Sequence, residues 1–150
     1  MEDEHATTSS VIHFVERLEE ESSAFYQNLA ARFPVHSDTF LAYARDGAKN
    51  RTLVVRTYQE TISDMLEACY CFEGLNLSEH AVKTTLGKKA NLAGALKAAV
   101  ELERKAVKYY LEIADRSQAL LATIPKAFRK VAETRGRRKT ELERLLAAAE

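Results

Sequence analysis

Ala127-Phe-Arg-Lys-Val131-Ala-Glu-Thr-Arg135-Gly-Arg-Arg138-Lys-Thr-Glu-Leu142-Glu-Arg-Leu145-Leu146 is the stretch that decides how this chain must fold. Read every seventh residue, it gives Phe128, Arg135, Leu142 and Ala149, with a neighbouring row of Val131, Arg138 and Leu145. On a helix these rows lie side by side on one face. Arg135 and Arg138 therefore fall inside the apolar stripe. A guanidinium cannot shed its charge and is costly to bury alone, so whatever packs against this helix must bring carboxylates to its mid-height.

The rest of the chain sets the frame for that demand. With 150 residues, 46% of them hydrophobic, five Gly and two Pro, it suits one compact helical domain, expected over 9–150 behind a flexible tail at 1–8. Basic and acidic residues are equal at 22 each, but 1–75 hold 6 basic and 13 acidic residues, and 76–150 hold 16 and 9. The halves are expected to attract each other, while the lack of net charge speaks against a nucleic-acid partner. The N-terminal Met1-Glu-Asp-Glu-His-Ala-Thr-Thr is acidic and polar, unlike a secretory or transit signal. No apolar run approaches the ~18 residues of a membrane span, so a cytoplasmic protein with no membrane association is expected. Cys69 and Cys71, two apart on an expected helix, are poor partners for one disulfide or one metal.

Helical periodicity predicts four long antiparallel helices at about 9–33, 38–73, 91–117 and 124–148. Pro34 ends the first, and Thr123 and Pro125 open the fourth. Glu19 lies four after Val15 and seven before Tyr26, at the border of its stripe; Glu103 sits among Ala99, Val100, Ala106 and Val107. In the second helix the middle of the apolar face is small or polar, with Gly47 seven after Phe40 and Asn50 one turn on. Gly in mid-helix costs about 1 kcal/mol relative to Ala, so Gly47 is expected to make room for a large side chain opposite. Residues 73–90 break the periodicity and are expected to cross over along the bundle, with a short helix from Ser78 to Gly87.

The two halves repeat. Leu18-Glu19 followed by Phe25-Tyr26 and Leu29-Ala30 matches Leu102-Glu103 followed by Tyr109-Tyr110 and Ile113-Ala114, 84 residues on. Phe40, Ala44, Gly47 and Asn50 match Phe128, Ala132, Arg135 and Arg138, 88 residues on. Two helical hairpins with the same inward pattern can share one core about a pseudo-twofold axis.

Leu-Glu-Glu-Glu-Ser-Ser-Ala-Phe-Tyr-Gln-Asn-Leu-Ala at 18–30 and Leu-Glu-Arg-Lys-Ala-Val-Lys-Tyr-Tyr-Leu-Glu-Ile-Ala at 102–114 resemble the ferritin-like superfamily, most closely its rubrerythrin-related branch. The resemblance covers roughly 10–147. It implies an all-α, ferritin-like four-helix bundle of two hairpins joined by a long crossover. It also implies a di-iron or di-manganese centre held by one Glu from each odd helix and a Glu-x-x-His from each even one. Carried over, the odd-helix ligands fall on Glu19 and Glu103, which match. Those of the even helices fall on Gly47 and Asn50, then Arg135 and Arg138, which do not. The chain's one Glu-x-x-His is Glu2 to His5 in the tail; His13, His36 and His80 are read as a surface, a loop and a crossover residue. Two Cys cannot build the four-ligand metal appendage of full-length rubrerythrins.

Two classes of function follow, beside a third reading of Arg135-Gly-Arg-Arg-Lys139 as a nucleic-acid or phosphate patch, which would require the helix to be unpaired because only Arg137 and Lys139 turn outward. In the first, Glu19 and Glu103 pair with Arg135 and Arg138 in a neutral core cluster, with Asn50 adding hydrogen bonds; no cofactor is needed, and the role is structural or partner-binding. The alternative is an iron- or manganese-binding oxidoreductase or ferroxidase-like protein using Glu19 and Glu103. The resemblance further implies a homodimer.

Overall fold

The computed structural model describes residues 5–61, 71–73, 77–82, 84–116 and 123–149. These form four long α-helices: α1 Thr8–Arg32, α2 Ser37–Thr61, α3 Leu92–Arg116 and α4 Thr123–Ala149. Each ends where local chemistry stops it. Phe33 N–H still reaches Leu29 O at 2.8 Å, but Pro34 has no N–H to continue the ladder, and a 3-10 turn at Pro34–His36 leads into α2. Asn91 caps α3, its Oδ1 accepting from Gly94 N–H at 2.8 Å.

Three expectations are corrected outside the helices. His5–Thr7 (β1) is not a loose tail but pairs antiparallel with Cys71–Glu73 (β2), His5 opposite Glu73. The same pairing shows that the second helix does not run to 73: Cys71-Phe72-Glu73 give their backbone groups to β1 instead. Tyr58, Ile62, Met65 and Cys69, which continue the helical spacing of Phe40, Gly47 and Val54, lie outside the residues whose side chains are described. The expected helix from Ser78 is only a 3-10 turn, Leu77–His80. Beyond it Val82, Thr84 and Thr85 supply a β-branched run that resists helix formation.

The hairpins α1/α2 and α3/α4 are the most extensively packed pairs; α2 also packs on α4, whereas α1 and α3 touch sparsely. The crossover lies along that sparse seam. Arg32 donates to the carbonyls of Gly87 and Lys88 at 2.9 and 3.2 Å, Lys105 donates to Ala81 O at 3.3 Å, and Leu77, Val82 and Leu86 pack on the core. Leu18, Leu29, Leu96, Leu102, Ile113, Phe128 and Leu142 are buried in that core. Each such side chain contributes about 1.5–3 kcal/mol relative to leaving it in water.

Gly47 answers a packing need, though not the expected one. A Cβ there would stand 2.1 Å from Ser23 Oγ and 3.0 Å from the Glu19 carbonyl oxygen, so it is α1 itself, not an arginine, that occupies the space. Ser23 Oγ is committed to Ala44 O at 2.8 Å and cannot yield without losing that bond. Gly47→Ala is expected to destabilise the fold by ~1–3 kcal/mol in urea unfolding, although Ala is the better helix former. Adding Ser23→Ala should recover part of the loss; a gain in stability from Gly47→Ala alone would show that the helices are not in this contact.

Candidate functional site: a buried ion cluster

At mid-height of the bundle the structure brings together Glu19 from α1, Asn50 from α2, Glu103 from α3, and Arg135 and Arg138 from α4. All are buried, with Glu103 and Arg135 at 0% exposure and Glu19 at 1%. Arg135 is the centre. Its Nε and Nη2 reach the Glu19 carboxylate at 3.1 and 3.0 Å, its Nη1 donates to Glu103 Oε1 at 2.7 Å, and Nη2 also donates to Ser22 Oγ at 3.0 Å. The guanidinium thus uses its whole fork on two carboxylates and a hydroxyl, a geometry a lysine cannot reproduce.

Around that centre the pseudo-twofold relation becomes chemical. Tyr26 donates to Glu103 Oε2 at 2.5 Å, and Tyr110, 84 residues on, donates to Glu19 Oε2 at 2.5 Å. Asn50 Nδ2 donates to Glu19 Oε1 at 3.3 Å, and its counterpart Arg138 donates from Nη1 to Glu103 Oε2 at 3.2 Å. Arg138 lies over the Tyr43 ring, 4.8 Å from its centroid, and its Nη2 stands 3.6 Å from Asp46 Oδ2. Gly47 sits at the edge of this group without touching the arginines; its role is the α1/α2 contact.

The electrostatics agree with the geometry. Burial alone would raise the Glu103 pKa, but the Arg135 and Arg138 charges and the Tyr26 and Arg135 hydrogen bonds overrule it and hold the carboxyl below its usual range. Burial would likewise lower Arg135, and Glu103 and Glu19 reverse that. Tyr26 and Tyr110 are pushed well above the usual phenol range by burial first and then by the facing carboxylates, so both remain donors. Tyr43, half-buried, is raised to about 12, mainly by desolvation.

Five participants escaped the sequence reading: Tyr26 and Tyr110, taken as core aromatics, and Ser22, Tyr43 and Asp46. The signal for Tyr26 and Tyr110 was the Glu-x6-Tyr spacing present in both halves. His80 also departs from expectation. It belongs to the crossover but is 3% exposed, with Nε2 2.8 Å from Glu112 Oε1 and its ring edge-on to Tyr109. His13 is a surface residue 3.4 Å from Glu16, and His36 packs edge-on to Phe40 in the α1–α2 turn.

This donor set does not fit a dimetal centre. All four oxygens of Glu19 and Glu103 already accept from N–H or O–H groups, and a guanidinium stands between the carboxylates. Positions 47, 50, 135 and 138 add no anionic ligand, and hard divalent ions want several oxygens. Among the described residues no group of three or more His, Cys, Asp or Glu is placed to hold a metal ion. Nor is any helix among them long and apolar enough to cross a membrane. No protein-family model, curated protein or solved structure matches this chain.

Proposed function

We propose that this chain is a ferritin-like bundle of the rubrerythrin-related kind in which a neutral ion cluster stands where the family holds its dimetal centre, and that its role is structural or partner-binding rather than catalytic. The observation that carries this reading is the Arg135 guanidinium bridging Glu19 and Glu103 with no solvent exposure. A buried charge set of this kind persists only when its charges are paired; Arg135 is hydrogen-bonded at all three nitrogens, whereas Arg138 bonds through Nη1 alone and leaves Nε and Nη2 buried without a hydrogen-bond partner. A substrate has no access to atoms so enclosed.

The cluster also explains how two similar hairpins find unlike partners. Their apolar stripes repeat and cannot by themselves distinguish α1/α2 from α3/α4. Pairing α1/α2 with its own copy would bring two Glu19 together without an arginine, and pairing α3/α4 with its own copy would set two Glu103 against four arginines. Only the unlike pairing is neutral. Uncompensated buried charge is strongly destabilising, so the cluster specifies which hairpins meet. On the same reading the bundle pairs with a second copy through outer helix faces, which sedimentation equilibrium checks.

The metal-dependent alternative requires Arg135 to leave both carboxylates. Aerobic addition of Fe(II) separates the two: oxidation is expected to run no faster with protein than in buffer. A protein-dependent rate that saturates with Fe(II) and disappears in Glu19→Gln would transfer the assignment to a ferroxidase-like site.

A further inference from the structure

The outer side of two helices that carry the cluster bears charge that the fold itself does not use. On α2, Arg45, Lys49 and Arg56 are exposed at spacings of four and seven residues, and on α4, Lys126, Lys130 and Arg137 repeat those spacings. Positions i, i+4, i+7 and i+11 share one side of a helix, so each set forms an outward ridge. The two ridges are neighbours, because α2 packs on α4 and Asp46 meets Arg138 across their seam. Among the described residues none of the six cations makes an ion pair, whereas Arg17, Arg51, Arg104, Arg116, Arg129, Lys139 and Arg144 each meet a carboxylate.

Of the acidic residues described on this side two are engaged and two are not, and the side chain of Glu60, four after Arg56, lies outside those described. Asp46 faces Arg138 and Glu141 holds Arg144; Glu133 within the α4 ridge and Asp38 at the end of α2 remain. The chain's neutrality averages over this pattern: 92–149 hold 13 basic and seven acidic residues. Net charge, which spoke against a polyanionic partner in the sequence, is therefore the wrong measure for this surface.

We infer that the outer face of α2 and α4 binds the phosphate backbone of nucleic acid without reading its bases. A protein partner of the same charge complementarity would need an apolar or aromatic centre to its interface. This face lacks one: Leu41, at its end, is the one large apolar side chain exposed on the described parts of these helices. Backbone binding needs only cations at intervals, and it involves no base-edge donors or acceptors. Arg45 to Arg56 is eleven residues, about 17 Å of helix, or roughly five base steps of a duplex. The inference is independent of the ferritin-like reading, since it rests on exposed residues outside the cluster.

Fluorescence anisotropy with a fluorescein-labelled 20-base-pair duplex of mixed sequence tests it on the full chain. Binding is expected at about 50 mM salt, with log K falling against log salt at a slope of roughly −3 to −5, and equal within about twofold for a second, unrelated duplex. Lys49→Glu with Arg137→Glu should weaken binding at least about tenfold and flatten that slope by about 2, at unchanged melting temperature. Lys88→Glu with Lys89→Glu, exposed on the crossover, should leave it unchanged. No binding at low salt, equal loss in the crossover control, or binding only to anionic lipid vesicles or to an acidic polypeptide overturns the inference.

Discussion

Arg135→Met is expected to destabilise the fold by roughly 3–5 kcal/mol in urea unfolding at neutral pH, because it leaves the buried Glu19 carboxylate without a cation and Glu103 with Arg138 alone. Glu103→Ala should cost a similar amount, leaving Arg135 with Glu19 and Ser22 and Arg138 with only Asp46, 3.6 Å away. The double variant is the informative one. With Glu103 and Arg135 both gone, Glu19 keeps Asn50 and Tyr110, and the core is neutral again. It should therefore be more stable than the sum of the singles predicts, by an interaction energy in the range of ~0.5–3 kcal/mol. Arg135→Lys should not substitute, since one ammonium cannot serve both carboxylates and Ser22 in a fixed plane. If the singles simply add, the two residues are not a pair and the cluster is misread.

The second large effect is acid unfolding. Glu103 is held below the usual carboxylate range, so it binds its proton less readily in the folded chain than in the unfolded one. The stability this contributes is present above the ordinary carboxylate pKa of about 4.3 and is lost as pH falls through the lower folded value. Protonation there leaves Arg135 and Arg138 buried against less negative charge. Helical circular dichroism is expected to persist through pH 5 and collapse cooperatively below about 4. Exposed or half-exposed pairs such as Glu101–Arg104 and Glu112–Arg116 titrate in the same window. Glu103→Gln isolates the buried contribution: it should be weaker than wild type at neutral pH and show a shallower loss toward acid. A wild-type chain equally stable at pH 6 and pH 2 would contradict this assignment of charge.

Much of this architecture was legible in the chain. Apolar spacing set α1, α3 and α4 within a residue or so of where they lie, because Pro34, Asn91 and Pro125 punctuate the pattern with unambiguous chemistry. The placement of Arg135 and Arg138 inside an apolar stripe, and of Glu103 inside another, pointed to the core cluster for the same reason. What periodicity could not supply was which atoms meet. Tyr26 and Tyr110 read as greasy residues because a stripe reports the side of a helix, not where a hydroxyl ends. Gly47 was read against the wrong neighbour, since a missing side chain says that something is close but not what. The strand at Cys71–Glu73 depends on a partner 64 to 68 residues away, His5–Thr7, which no local window contains. His80 is buried only because the crossover folds back onto Glu112 and Tyr109, a tertiary event.

The central claim is that the charge set closes on itself and leaves no part for a metal. The most direct measurement is metal content by elemental analysis, with melting temperature before and after a strong chelator, on protein produced with iron and manganese supplied. Far less than one metal per chain, and a melting temperature the chelator does not move, is the predicted result. Stoichiometric iron or manganese that chelation removes together with stability would contradict it.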